Sequence, residues 1–116
     1  MNRAEFIECV AMLRSTDAMT YEEGYHWLQG YLVEYIDDLI ALMLNEKEPR
    51  MRSKFVEVVG DSQLKKVIPY MVTELEHEHR EVRSWAYNSL VYFEDAEAEA
   101  IAKEYARCQP NEDFLH

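Results

Sequence analysis

Apolar residues recur along most of this chain at every third or fourth position, the spacing that lines one face of a helix. Phe6, Ile7, Val10 and Leu13 mark a first amphipathic segment over about residues 3–15. After a break at Ser15 to Met19, Thr20 stands three residues before Glu23, the spacing of a capping box. The helix it opens runs from Tyr21 toward Leu44, with Gly30 as a break, because glycine costs about 1 kcal/mol in a helix interior. Pro49 ends that run and opens a helix over about residues 49–59, which Gly60 is expected to stop as the residue after its end. The next helix is expected over about residues 62–76, kinked or delayed by Pro69. Another follows over about residues 80–93. Asp95 then precedes an Ala/Glu-rich helix over about residues 96–107, with acidic residues in the first turn where the helix dipole favours them. From Gln109 the chain reads as coil, with Phe114 and Leu115 placed to fold back onto the body. No segment alternates apolar and polar residues between turn signals, so an all-α protein of five to seven helices is predicted.

The helices repeat. At an offset of 31 residues, Ile36 meets Val67, Ile40 meets Met71 and Leu44 meets Leu75. Beyond the turn, Met51 meets Val82, Arg52 meets Arg83, Ser53 meets Ser84, Phe55 meets Ala86 and Val59 meets Leu90. Apolar positions and the turn fall in register together, the signature of stacked helix–turn–helix units. An ordinary antiparallel bundle of equal-length helices is the competing arrangement.

Met51-Arg52 and Val82-Arg83, near the start of the second helix of each unit, resemble the Val-Arg step of HEAT repeats. Ala86 and Leu90 follow the second pair as that pattern requires, and Phe55 and Val59 follow the first more loosely. The resemblance implies a short HEAT-like α-solenoid of antiparallel helix pairs in a single domain, residues 1–116. Residues 31–60 and 62–93 are its clear units, residues 3–30 a degenerate first unit, and residues 96–107 a capping helix. It also implies a charged ladder through the arginines, although the aspartate that usually partners them has no counterpart here.

Charge narrows the function. Twelve Lys and Arg against 23 Asp and Glu leave a net charge of −11. Nucleic-acid binding needs a basic stripe that this chain lacks, and an anionic membrane surface would repel it. A basic protein would be drawn to it. The acidic residues also keep a small protein soluble. Acidic residues interrupt the first apolar run and no apolar stretch is long enough to span a bilayer, so a cytoplasmic protein without leader or anchor is expected. Cys9 and Cys108 form no paired motif and read as reduced thiols in a core.

Candidate chemistry is sparse. With Val82, Ala86, Leu90 and Phe93 facing inward, Trp85, Asn88 and Tyr92 fall on another face, and their counterparts Lys54, Glu57 and Asp61 are all polar. Exposed Trp and Tyr suit interface anchors, although they could instead pack under the C-terminal helix. Tyr21, Tyr25, Trp27, Tyr31 and Tyr35 are interleaved with Glu22, Glu23, Glu34, Asp37 and Asp38, a mixture able to engage Lys and Arg through hydrogen bonds and cation–π contacts. Half of these rings could equally be core. The expected partner-binding set is Glu22, Glu23, Tyr25, Tyr31, Glu34, Asp37, Asp38, Glu57, Trp85, Asn88 and Tyr92. Glu23 with His26 and Glu76 with His79 have the spacing of di-metal carboxylate helices. The second pair falls in a turn and Glu23 serves a cap, so neither metal nor cofactor is expected. No nucleophile elbow, phosphate loop or zinc-protease motif occurs, and no catalytic residue is expected.

Small size, acidity, helical repeats and missing catalytic signatures together resemble the immunity proteins of bacterial toxin–immunity systems, such as contact-dependent inhibition. That resemblance implies a non-enzymatic protein that occludes the active site of a cognate toxin, basic and in some systems a nuclease. A HEAT-like adaptor in a larger assembly is the alternative, and a metal-dependent helical enzyme a more distant one.

Overall fold

A computed structural model of the chain describes residues 1–115. Among these the fold is all-α. The helices are α1 (Arg3–Leu13), α2 (Ala18–Gln29), α3 (Ile36–Asn45), α4 (Pro49–Asp61), α5 (Ile68–Glu74), α6 (Arg80–Tyr92) and α7 (Ala96–Cys108). Short 3₁₀ turns occupy Lys65–Val67 and Asp113–Leu115. Helices pair in chain order, α1 with α2, α3 with α4 and α5 with α6, while α7 closes the end against α6. The even-numbered helices also pack on one another in sequence and form one row of the stack. The result is elongated, 43 × 27 × 23 Å.

Local signals explain most helix starts. Asn2 and Glu5 form a capping box on α1, with reciprocal amide contacts of 2.8 and 2.9 Å. The predicted Thr20–Glu23 box is not formed. α2 begins three residues earlier, where Asp17 accepts hydrogen bonds from the amide (3.0 Å) and hydroxyl (2.8 Å) of Thr20. Asp17 and Thr20 offer overlapping caps, and the carboxylate takes both donors. Gly30 ends α2 as expected. Glu48 caps α4 through the amides of Arg50 and Met51, with Pro49 in the first turn. Pro69 delays α5, which starts at Ile68 after the 3₁₀ turn.

The repeat frame places the core. Ile36, Val67, Ile40, Met71, Met51, Val82, Phe55, Ala86, Val59 and Leu90 are all buried. Leu44 departs from it: its counterpart Leu75 is buried, but Leu44 is 45% exposed in the last turn of α3. α4 is the central helix, with Phe55, Val56, Val58 and Val59 fully enclosed. Gly60 does not stop it. It lies inside α4, and a Cβ there would stand 2.3 Å from Ser89 Oγ and 2.7 Å from Ser89 Cβ. Glycine is required because α6 crosses α4 at that point, not because the helix ends.

Three arginines tie the stack together. Arg14 reaches Glu46 at 2.5 Å, and its guanidinium lies 5.2 Å from the Phe55 ring centroid. Arg52 donates to the end carbonyls of the α3 turn, Leu44 O and Glu46 O, and forks onto buried Glu74 of α5 with a shortest contact of 2.6 Å. Arg83 repeats the motif, donating to His77 O and Glu78 O and forking onto Glu112 at 2.8 and 3.1 Å. Arg52 and Arg83 each satisfy carbonyls in the turn between paired helices while bridging to a later segment. The ladder partners are therefore glutamates. Arg83 and its Tyr105 neighbour fix the tail through Glu112, and Phe114 packs against Tyr87 and Tyr105.

Candidate protein-binding groove

The exposed side of the even row gathers polar and aromatic groups from three helices. α2 supplies Tyr21 and Tyr25, one turn apart, with ring centroids separated by 6.1 Å. α4 supplies Lys54, Glu57 and Asp61, and α6 supplies Glu81, Trp85, Asn88 and Tyr92. These positions face out because the intervening ones on α4 and α6 are enclosed between helices. Trp85 is 39% exposed and Tyr92 76% exposed.

Hydrogen bonds organise the floor. The Tyr21 hydroxyl donates to Glu57 Oε1 at 3.2 Å, and the Tyr25 hydroxyl donates to Asp61 Oδ2. Gln29 Nε2 also donates to Asp61 Oδ2, at 3.3 Å. Burial, then the neighbouring carboxylates, pushes both phenols above their usual range. Burial, followed by the charge of Asp61, raises the Glu57 carboxyl as well. The Tyr21 hydrogen bond and the charge of Lys54 offset this only in part. The Lys54 ammonium donates to Leu13 O at 3.3 Å and sits 4.2 Å from the Tyr21 ring centroid. Burial and nearby Arg50 lower the Lys54 pKa. Neither Glu57 nor Asp61 forms an ion pair with any described residue.

Trp85 and Glu57 border two clefts of 280 Å³ each. One runs toward Arg50, Lys54, Arg80 and Glu81. The other runs toward Asp61, Gln63, Asn88 and Tyr92. Gln63, held at a φ of 57°, frames the second cleft by clamping the turn after α6, donating to Tyr92 O and accepting from Glu94 N.

The expected partner-binding residues divide. Tyr25, Glu57, Trp85, Asn88 and Tyr92 come together in this groove or on its floor. Asp37 and Asp38 do not: they stand on α3 in the other row, paired with Lys66 at 2.7 Å and Arg3 at 2.9 Å. Glu22 and Glu23 are exposed on α2 but border neither cleft, and the same holds for Glu34 and half-buried Tyr31 beyond Gly30. Tyr35 is core, stacked on Phe6 at 4.3 Å with its hydroxyl donating to Met1 O. Tyr21 and Asp61 belong to the site but were absent from the expected set. The repeat alignment already matched Asp61 to Tyr92, and Tyr21 lies one turn from Tyr25.

Elsewhere, a larger groove of 840 Å³ lies between α5 and α7, with Val72, Leu75, Ile101 and Tyr105 on its walls. Cys108 borders it and is exposed, so only Cys9 is a core thiol. Burial, then Glu8 and Glu5, raises the Cys9 pKa to about 11, which keeps it protonated and unreactive. Among the described residues, no group of three or more His, Cys, Asp or Glu is arranged to hold a metal ion. No helix among the described residues is long and apolar enough to cross a membrane. The groove offers acceptors, negative charge and aromatic faces. No family model matches the chain, and neither the curated proteins nor the solved structures include a match.

Proposed function

We propose that the chain is a HEAT-like protein-binding module acting as an immunity protein, which covers the active site of a basic toxin domain. The observation that carries this reading is the groove on α2, α4 and α6, where two carboxylates without an ionic partner lie among exposed Trp85 and Tyr92. Carboxylates facing outward in a partly enclosed setting gain most from a Lys or Arg brought by another molecule. The aromatic rings supply anchoring area at low entropic cost. The net charge of −11 steers a basic domain toward this surface.

The test is co-expression of the chain with the product of the gene directly upstream of its own, combined with a binding assay at low and high salt. The expected result is rescue of growth and a stable complex at low salt that weakens as salt rises. Absence of any basic partner at low salt would overturn the reading. A cytoplasmic adaptor is the second reading, favoured by the additional groove between α5 and α7, which could hold a second protein at the same time. It predicts a three-component complex, whereas immunity predicts one to one.

A further inference from the structure

We propose that the cleft between Trp85 and Tyr92 receives one arginine side chain of the protein partner. The inference rests on reading the groove as a protein-binding surface, and it narrows what enters it. The cleft has an aromatic wall on α6 and two carboxylates opposite on α4, Glu57 and Asp61, spaced one helical turn apart. Each carboxylate is half used. Tyr21 occupies Glu57 Oε1, while Tyr25 and Gln29 occupy Asp61 Oδ2. No described residue donates to Glu57 Oε2 or Asp61 Oδ1. The tyrosines thus hold both carboxylates in place and leave a pair of acceptors open.

A guanidinium fits that pair better than an ammonium. It carries five donors in a planar fork, which can bridge two acceptors while its flat face lies on an indole. An ammonium is a compact, strongly hydrated charge with less to gain in an open cleft. Charge also sets direction. On the far side of Trp85 the groove carries Arg50, Lys54 and Arg80 against Glu81, which makes that end the less favourable one for a cation. On the near side Asp61 joins Glu57, which borders both clefts, and no basic residue lines the wall. A cationic side chain crossing Trp85 is therefore directed to the acidic end. The contrast with the rest of the protein is direct: Glu46, Glu74 and Glu112 each hold an arginine of this chain, at 2.5, 2.6 and 2.8 Å. In the groove the arginine has to come from outside.

The test titrates N-acetyl-arginine amide and its lysine analogue into the full chain. The readout is the indole N–H resonance of Trp85, with Trp27 as internal reference. The arginine probe is expected to shift Trp85 saturably in the millimolar range and bind at least about five-fold tighter than the lysine probe. Glu57→Gln combined with Asp61→Asn preserves shape and should abolish the shift, whereas Glu99→Gln on α7 should leave it unchanged. Equal binding of the two probes, or binding that survives the double substitution in a folded variant, overturns the proposal. Failure here is distinguishable from failure of the immunity reading. Toxin protection that survives the double substitution removes the arginine cleft and keeps the immunity reading. Arginine-specific binding without protection keeps the cleft and removes immunity.

Discussion

Two sets of carboxylates in this protein do opposite things with the same chemistry. Glu74 is 1% exposed and lies in the fork of Arg52, whose other nitrogen bonds the α3 turn. Glu57 and Asp61 stand one turn apart at the edge of a groove, contacted only by uncharged donors. The first arrangement is closed: each oxygen of Glu74 has its donor, and water is excluded. The second is open: donors fix the carboxylates, yet their charge is left without a counterion. Glu74 is satisfied by its own chain, while Glu57 and Asp61 each keep an oxygen that no described residue donates to. This separates the two more sharply than burial or total charge.

The largest effect is expected where the closed set is broken. Glu74→Ala leaves the Arg52 guanidinium enclosed without its counterion, which costs about 3–5 kcal/mol. Urea unfolding measures it. Arg52→Met with Glu74→Leu should lose much less than the sum of the single changes, because no charge is then stranded. If Glu74→Ala lowers stability by under about 1 kcal/mol, the ladder is not what joins the helix pairs.

The open set should respond in binding and not in stability. Trp85→Ala is expected to weaken a bound basic partner by about 2–4 kcal/mol, the range of a central aromatic anchor. Its thermal midpoint should stay near that of the parent, because the residue is 39% exposed and is not part of the buried core. Calorimetric titration beside thermal unfolding separates the two quantities. Unfolding without a specific loss of affinity would make Trp85 a packing residue and remove the comparison.

Gly60 connects the sets, since it seats α6 against α4 and so fixes where Trp85 and Tyr92 stand. Gly60→Ala is expected to cost about 1–3 kcal/mol through overpacking against Ser89. Ser89→Gly should restore most of that loss, measured by the same unfolding experiment. A neutral Gly60→Ala would show that the crossing relaxes easily and that the groove is not rigidly set.

Gly60 also shows where reading the sequence succeeded and where it stopped. The 31-residue frame placed Val82, Ala86 and Leu90 inside and Trp85 and Tyr92 outside, because that depends on helical period alone. It took Gly60 for a helix stop, since a glycine at a crossing and a glycine at a helix end look alike without the partner helix. Leu44 kept the apolar period but sits in the final turn of α3, where no neighbour covers it. The ladder glutamates escaped for a related reason. Glu74 lies 22 residues from Arg52, and Glu112 lies 29 from Arg83, so the repeat does not carry one onto the other. Half of the groove was legible, because the aromatic positions follow the period. The splitting of Asp37 and Asp38 from it was not, because row assignment needs the third dimension.

The smallest effect discriminates between the sets by its sign. In the folded protein the Glu57 carboxyl is raised by burial and then by Asp61. Tyr21, Lys54 and Asp61 face it from its own and the adjacent helix, and Glu81 faces the same cleft from α6. A raised carboxyl favours the fold only while protonated. That contribution is complete below the unfolded value of about 4.3 and is lost as pH rises through the higher folded value. Glu112 runs the other way: Arg83 depresses it, so its contribution is present above about 4.3 and is lost as pH falls through its lower folded value. For Glu46 burial opposes the charge, but Arg14 and the local amides outweigh it, with the same sign as Glu112. Glu57→Gln removes the repulsion while keeping an acceptor for Tyr21, so at neutral pH it should stabilise the free protein by about 0.3–0.5 kcal/mol. The gain should fade on acidification below the Glu57 titration, while the parent loses stability there as Glu46 and Glu112 protonate. Urea unfolding across that pH range checks both slopes. A destabilised Glu57→Gln at neutral pH would place Glu57 in the closed set, as a structural carboxylate that only looks available.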